Sequence, residues 1–135
     1  MTTGLVFGTF DGLHEGHRAF LREVKRHCDH IVASVPSDEY VRHHKGSEPQ
    51  NDYAKRSRVL IDSGLVDDVV VSDAEEGAFT VIENVKPDVI LLGYDQHDLE
   101  HAIMQWFAKH DTRIEIKKLS AHEPEVYKSS KLRNS

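Results

Sequence analysis

Short apolar runs alternate with helical patterns along this chain. Five runs have the length and apolar content of β-strands, at residues 5–7, 31–35, 69–71, 89–92 and 114–116. Helical spacing or helix-start signals fall between them, at residues 18–27, 38–42, 52–63, 79–85 and 99–107. Helices between nearly all strands predict an α/β domain over residues 1–135, with a mainly parallel five-stranded sheet covered on both faces.

Several helix boundaries carry their own signals. Ser37 is a suitable N-cap for the short second helix, and Gly64 suits a left-handed cap after the third. The polar stretch 44–51 is predicted to be a surface loop, which would place His43 and His44 on or beside it. Trp106 and Phe107 share a helical stripe with Ile103 and are therefore expected in the core.

The first strand is followed by a polar loop with the sequence Gly-Thr-Phe-Asp-Gly-Leu-His-Glu-Gly-His at residues 8–17. Glycine at Gly8 and Gly12 permits turning and close approach to a ligand, and Gly16 keeps the helix entrance uncluttered. His14 and His17 are three apart across the helix start and should point the same way. Because helix N-termini attract anions, we expect a phosphate clamp here. A metal site is the alternative, but this segment offers no third ligand at suitable spacing.

Composition and charge narrow the function further. The length of 135 residues suits one domain, and the net charge of −6 disfavours sequence-independent binding of nucleic acid. Basic residues do cluster locally, although on charge alone we interpret these clusters as solvated faces. The clusters are Arg42 to Lys45, Lys55 with Arg56 and Arg58, and Lys128 with Lys131 and Arg133.

Location is predicted from what the sequence lacks. No apolar run approaches the ~18 residues of a membrane span, and the N-terminus has no secretory pattern. The single cysteine, Cys28, excludes an intrachain disulfide and is expected to be buried filler. We therefore expect a cytoplasmic protein without membrane contact; an apolar sheet edge or helix face could support a homodimer.

The loop at residues 8–17 resembles the G-T-F-D-x-x-H-x-G-H signature of the cytidylyltransferase-like nucleotidyltransferases. The resemblance extends over essentially the whole chain, through Arg56 ahead of a Val-Asp-Asp-Val-Val segment, residues 87–96 and residues 127–133. It implies the Rossmann-like, HUP-type form of the α/β fold. It also implies transfer of a nucleoside monophosphate from a nucleoside triphosphate to a phosphorylated acceptor, with release of pyrophosphate.

The final segment, Tyr-Lys-Ser-Ser-Lys-Leu-Arg at residues 127–133, is closer to the Y-S-S-S-K-I ending of archaeal FAD synthases than to the cytidylyltransferase pattern R-T-x-G-I-S-T-T. Gln96 followed by His97 points the same way. The resemblance therefore implies ATP and FMN as substrates. Alternatives are a cytidylyltransferase using CTP with glycerol 3-phosphate or a sugar phosphate, and a nucleotide-binding module without turnover. Where those FAD synthases often carry a cysteine, this chain has Glu123, Pro124 and Glu125.

Roles for individual residues follow from this chemistry, which requires alignment and charge neutralisation more than a protein nucleophile. His14, His17 and the Thr9 hydroxyl are expected on the triphosphate, with Lys45 as a further catalytic residue. The nucleotide is expected to contact Gly8, Phe10, Gly93, Asp95, Gln96, Tyr127, Ser129, Ser130 and Arg133, and the acceptor Asp11, Lys45 and Arg56. No residue is predicted to bind metal directly; Mg²⁺ would bridge substrate phosphates.

Two of these residues also have a purely structural interpretation. Asp95 could cap the following helix without binding a ligand, and Ser129 could likewise be an N-cap and nothing more.

Overall fold

A computed structural model describes residues 1–75 and 77–119. Its described part contains a single sheet of five parallel strands in the order β3-β2-β1-β4-β5. The strands are β1 (Thr3–Phe7), β2 (His30–Val35), β3 (Asp68–Val71), β4 (Val89–Gly93) and β5 (Glu115–Leu119). The helices are α1 (Glu15–Val24), α2 (Asp38–Lys45), α3 (Tyr53–Asp62), α4 (Thr80–Val85) and α5 (His97–His110). The predicted five-stranded α/β fold is confirmed.

Both faces of the sheet are buried, because alternate residues of each central strand enter different apolar clusters. Val6 and Leu91 pack in one cluster with side chains of α1 and α3, whereas Leu5 and Ile90 pack in the other with side chains of α4 and α5. The second cluster includes Trp106, only 4% exposed, so its predicted place in the core is confirmed.

The order of the strands reverses between β1 and β4, and this pair is joined over a short length only. The paired residues are Gly4 with Val89 and Leu5 with Ile90, so the two strands are no longer paired toward their carboxyl ends. In open parallel sheets such a reversal creates the crevice in which ligands bind. The loops after β1 and β4 both emerge beside it.

Aspartates fix the opposite, amino edge of the sheet. Asp88, just before β4, accepts a hydrogen bond from the Thr3 backbone N–H at 2.8 Å. Asp67, just before β3, accepts one from Ile31 N–H at 2.8 Å. These carboxylates satisfy N–H groups at the starts of neighbouring strands. Hydrogen-bonding groups at the amino edge are thus satisfied within the protein, whereas the carboxyl edge carries the glycine-containing loops after β1 and β4.

Two helix boundaries differ from the sequence prediction. Helix α1 begins at Glu15, three residues earlier than expected, because His14 acts as its N-cap. Helix α2 continues to Lys45, so His43 and His44 are helical and their predicted loop placement is wrong. The His44 ring stacks on Tyr40 at 3.9 Å between centroids. Gly46, with φ of 75°, then ends the helix in the left-handed region.

None of the helices within residues 1–75 and 77–119 is both long and apolar enough to cross a lipid bilayer.

Candidate active site

The loop between β1 and α1 turns sharply as it leaves the sheet. The Gly8 N–H donates to the Ser34 carbonyl at 3.2 Å, which holds the start of the loop against β2. Phe10 then has φ of 51° and Gly12 φ of 82°, both in the left-handed region. Phe10 is 5% exposed and belongs to the core cluster below the loop. The loop is therefore anchored by a buried aromatic ring.

His14 and His17 form a reciprocal cap at the start of α1. The Nδ1 atom of His14 accepts from the backbone N–H groups of Gly16 at 3.0 Å and of His17 at 3.3 Å. In return, Nδ1 of His17 accepts from the His14 N–H at 3.3 Å. The two rings stack with centroids 3.7 Å apart and planes inclined by 14°. The prediction that the two side chains point the same way is confirmed.

This cap determines where the protons of the two rings are held. A backbone N–H can donate only to a nitrogen lone pair, so each neutral ring must carry its proton on Nε2. Burial, together with a smaller contribution from the neighbouring His14, lowers the pKa of His17 to about 4. Burial also lowers the pKa of His14, although its backbone hydrogen bond opposes that effect. Both rings are therefore neutral donors at neutral pH.

The cap also changes how the helix end can act on an anion. The N–H groups of Gly16 and His17 donate to His14, so they are not free to bind an anion. The positive end of the helix acts instead through the imidazole, whose Nε2–H is polarised by the hydrogen bonds at Nδ1. Nε2 of His14 is buried and, among the described residues, has no hydrogen-bond partner. A ligand oxygen would satisfy it.

Gly16 is required by the packing of the His14 ring. A methyl group at Gly16 would lie 2.9 Å from Cε1 and 3.2 Å from Nδ1 of His14. The expectation that this glycine keeps the helix entrance clear is therefore correct, and the occupant of the space is His14 itself.

Arg56 holds three segments together beneath the loop. The side chain is 1% exposed, so the interpretation of its basic cluster as a solvated face is wrong for this residue. Its guanidinium donates to the carbonyls of Asn51 at 3.0 Å, Thr9 at 3.1 Å and Pro36 at 3.0 Å, and to the Asp38 carboxylate at 2.7 Å. Four of its five N–H donors thus bind protein, which leaves little capacity for an acceptor phosphate.

Asp11 ties the segment after α2 to the same loop. Its carboxylate accepts from Gln50 N–H at 2.7 Å, Asn51 N–H at 2.9 Å and the Asn51 side-chain amide at 3.0 Å. Lys45 is exposed at the end of α2, a few residues before this tether. Asp11 is therefore committed to loop structure, whereas Lys45 stays open to solvent.

The loop after β4 closes the crevice from the other side. The side-chain oxygen of Gln96 accepts from Gly93 N–H at 2.9 Å, and its amide donates to the Phe7 carbonyl at 3.1 Å. Gln96 therefore bridges the separated ends of β1 and β4. Asp95 is exposed, and the N-cap of α5 is Gln96, so the capping alternative for Asp95 is wrong.

Sequence reasoning missed two residues that organise the site. Asp38 pairs with Arg56, which holds the pKa of the Asp38 carboxyl below its ordinary value. Asn51 supplies a carbonyl to Arg56 and two donors to Asp11. Nothing local in the sequence indicates either role, because both depend on contacts between distant segments.

Comparison with known proteins shows the family of this chain. Residues 5–135 match the profile of the family described as cytidylyltransferase-like. The chain belongs to the cytidylyltransferase-like family. Similar curated proteins include the FAD synthase of Ferroglobus placidus, 37% identical over 93% of this chain and 81% of that protein. The FAD synthase of Pyrococcus abyssi is 34% identical over 97% of this chain and 86% of that protein.

Solved structures give the same fold. A lipopolysaccharide core biosynthesis protein from Thermoplasma volcanium superposes with a TM-score of 0.80 and 28% identity, covering 91% of this chain and 99% of the other. The pantothenate synthetase of Thermus thermophilus, at a TM-score of 0.60 and 17% identity, covers 99% of this chain and 64% of its own; it shares the fold.

Part of the family signature lies beyond the described residues. Tyr127, Ser129, Ser130 and Arg133 fall in residues 120–135, so their predicted contacts with nucleotide lie outside the described part. A shallow concavity beside Trp106 and Pro87 lies at the amino end of β4 and contains none of the predicted site residues. The loop at residues 8–17, with its two histidines, and the crevice between the carboxyl ends of β1 and β4 therefore form the candidate active site of this cytidylyltransferase-like protein.

Proposed function

We propose that this protein transfers the AMP group of ATP to FMN, forming FAD and releasing pyrophosphate. The proposal is supported by curated FAD synthases that are 30–41% identical to the chain. The structural observation that carries it is the stacked pair His14 and His17, whose Nε2–H donors are fixed at the start of α1. Such donors suit a triphosphate chain.

The reaction is one nucleophilic displacement at phosphorus. An oxygen of the FMN phosphate bonds to the α-phosphorus of ATP, and the bond from that phosphorus to the bridging oxygen of the β-phosphate breaks. The electron pair of the broken bond leaves with pyrophosphate. No protein nucleophile takes part, so the catalytic contribution is alignment and stabilisation of the developing charge.

The neutral state of the histidines suits this task. A donor with a pKa near 4 keeps the same protonation state throughout the neutral range, so its hydrogen bond to a phosphate oxygen does not depend on uptake of a proton. We assign the Nε2–H groups of His14 and His17 to the triphosphate, together with the Thr9 hydroxyl. Arg56 is assigned a supporting role, because its donors hold the Thr9 carbonyl instead of facing solvent.

The crevice between β1 and β4 is proposed to receive the nucleoside. Gly93 and exposed Asp95 border it, and Gln96 bridges the ends of β1 and β4 that flank it. Lys45, exposed at the carboxyl end of α2, is proposed to bind the FMN phosphate. The proposed setting is the cytoplasm, because buried Cys28 is the only cysteine and no intrachain disulfide can form. A homodimer stays a prediction.

A divalent cation such as Mg²⁺ would neutralise phosphate charge in such a reaction. Across residues 1–75 and 77–119, no three His, Cys, Asp or Glu side chains converge on one point. The Asp11 carboxylate is already engaged by three donors. The described residues do not fit an ion held by the protein alone, so we assign the cation to the substrate phosphates.

The test measures pyrophosphate with two substrate pairs, ATP plus FMN and CTP plus glycerol 3-phosphate, and identifies FAD by its chromatographic retention. Pyrophosphate release with ATP plus FMN but not with CTP plus glycerol 3-phosphate, accompanied by an equal amount of FAD, supports the proposal. Release with CTP plus glycerol 3-phosphate alone would show a cytidylyltransferase. Measurable nucleotide binding without release from either pair would show a non-catalytic module.

A pair of variants tests the histidine role in the same assay. His17→Ala should lower turnover by roughly a hundredfold or more, since donors to a developing charge commonly contribute that much. His101→Ala, which removes an exposed histidine from α5, is the control and should retain full turnover. Near-normal turnover in folded His17→Ala would show that this assignment is wrong.

A further inference from the structure

The side chain of Phe10 lies between two features of the signature loop. Its ring meets the His17 ring edge-on, with centroids 5.3 Å apart and planes inclined by 68°. The same ring fills the space beside Gly8. A methyl group there would lie 2.8 Å and 2.9 Å from two carbons of the Phe10 ring. One buried ring thus separates a backbone glycine from a catalytic histidine.

The backbone at Phe10 indicates that this position of the ring is imposed. Its φ of 51° is in the left-handed region, which non-glycine residues rarely adopt. Such a conformation persists only when surrounding contacts determine it. Here the contacts are burial of the ring in the core and the Arg56 hydrogen bond to the preceding Thr9 carbonyl. The strain is therefore balanced by interactions that place the ring against His17.

We propose that Phe10 is a positioning residue that holds the His17 ring in its donor orientation, and that Gly8 is glycine to admit the Phe10 ring. The inference rests on the proposed function, in which His17 acts at the triphosphate. It differs from the expectation that Gly8 and Phe10 themselves contact the nucleotide. In that case Gly8 would be glycine because a ligand approaches it closely.

The mechanical link is short and specific. The Phe10 ring closes one side of the His17 ring and the His14 ring closes another, at 3.7 Å between centroids. With both in place, Nδ1 of His17 meets the His14 N–H and Nε2 carries the proton. Removing the Phe10 ring frees the His17 ring to rotate and admits water beside it. A methyl group added at Gly8 would displace the Phe10 ring and so have the same consequence for His17.

A double-mutant cycle separates the two explanations of Gly8. The proteins are wild type, Gly8→Ala, Phe10→Leu and the double variant, compared by kcat and KM for AMP transfer from ATP to FMN. Gly8→Ala alone should lower kcat roughly tenfold to a hundredfold, which is the usual cost of displacing a positioned catalytic group by about 1 Å. In the Phe10→Leu background, adding Gly8→Ala should lower kcat by less than about twofold, since the ring it displaces is absent.

If the two losses multiply as independent effects, Gly8 serves a direct approach of ligand and the proposal is overturned. Phe79→Leu is the matched control, because it removes another buried ring whose backbone φ, 48°, is in the left-handed region, but from the apolar cluster on the opposite face of the sheet. It should leave kcat within about twofold of wild type, as expected for a core volume change that does not involve the cluster of Phe10.

A spectroscopic measurement distinguishes this proposal from the proposed function. Imidazole ¹⁵N spectra of the ligand-free protein, with His17 assigned from His17→Gln, should show Nε2 protonated and Nδ1 unprotonated in wild type. In Gly8→Ala and in Phe10→Leu this signature should be lost, with His17 titrating closer to an ordinary histidine. An unchanged signature in both variants would refute positioning by Phe10. A lost signature with unchanged AMP transfer would uphold the positioning and refute the catalytic role of His17.

Discussion

Replacing Arg56 by alanine should destabilise this protein strongly, although no ligand needs to touch the residue. The side chain is 1% exposed and donates to three carbonyls and one carboxylate. Alanine would leave those four acceptors without their donor. It would also leave a cavity where the arginine side chain is packed. The segments that carry Thr9, Asn51 and Asp38 would then lose their common tie.

The size of the effect follows from these contacts. Removing one partner of a buried ion pair costs about 3–5 kcal/mol, and buried acceptors left unpaired add to that cost. Asp38 is 30% exposed, so water can replace part of its hydrogen bonding and we take the lower part of that range, about 3–4 kcal/mol. This is a large share of the roughly 5–15 kcal/mol that stabilises an ordinary domain.

The measurement is urea unfolding followed by circular dichroism, with Arg58→Ala as the matched control. Arg58 lies on the same helix but is exposed, so its replacement should change the free energy of unfolding by no more than about 0.5 kcal/mol. Arg56→Lys should be intermediate, since one ammonium retains the charge but cannot reach four acceptors. If Arg56→Ala costs no more than Arg58→Ala, the hydrogen bonds described for Arg56 do not stabilise the fold.

The same comparison has a predictable pH dependence. Arg56 holds the pKa of Asp38 below its ordinary value of 3.8. A carboxyl with a depressed folded-state pKa contributes stability above its unfolded pKa and loses it as the pH falls through the folded value. The difference in unfolding free energy between wild type and Arg56→Ala should therefore narrow as the pH falls below about 3.8. A difference that widens in acid would contradict the ion pair.

Three further predictions concern the site. Because the folded-state pKa of His17 is about 4 against an ordinary 6.5, the unfolded chain binds more protons between these pH values, and the free energy of unfolding should fall as the pH drops through that window. The fall should be smaller in His17→Gln. Equal falls for the two proteins in urea titrations would refute this prediction. Gly16→Ala should lower kcat about tenfold by displacing the His14 ring while changing stability by less than about 1 kcal/mol, and unchanged kcat would refute it. Gln96→Glu should destabilise by about 1–3 kcal/mol, because a carboxylate cannot donate to the Phe7 carbonyl; a neutral result in urea unfolding would refute that contact.

Local patterns accounted for most of the secondary structure. Short apolar runs and helical spacing depend on neighbours along the chain, so all five strands and the helices between them could be predicted. The errors fell at helix ends. A histidine N-cap at His14 carries no ordinary capping signal, and the extension of α2 to Lys45 depends on where Gly46 adopts its left-handed turn.

The sequence by itself determined the family, the α/β fold and the two histidines that make the loop chemically distinctive. A short glycine-rich segment directly after a strand is sufficient for this, because its residue types and spacing are themselves the signal. The lysines, arginines and aspartates around it were harder to place, since each type is common on surfaces and in binding sites alike.

Only the tertiary structure decided what those charged residues do. It placed Arg56 and Asp11 inside the scaffold, held the two imidazoles as neutral donors, and set Gln96 across the gap between β1 and β4. The contacts of Arg56 with Thr9 and Pro36, of Asp11 with Asn51 and of Gln96 with Phe7 join residues 20 to 89 positions apart along the chain. The neutral state of His17 depends on its burial in the folded protein. Burial and the position of donors and acceptors arise only when such segments meet, so no local pattern can carry them.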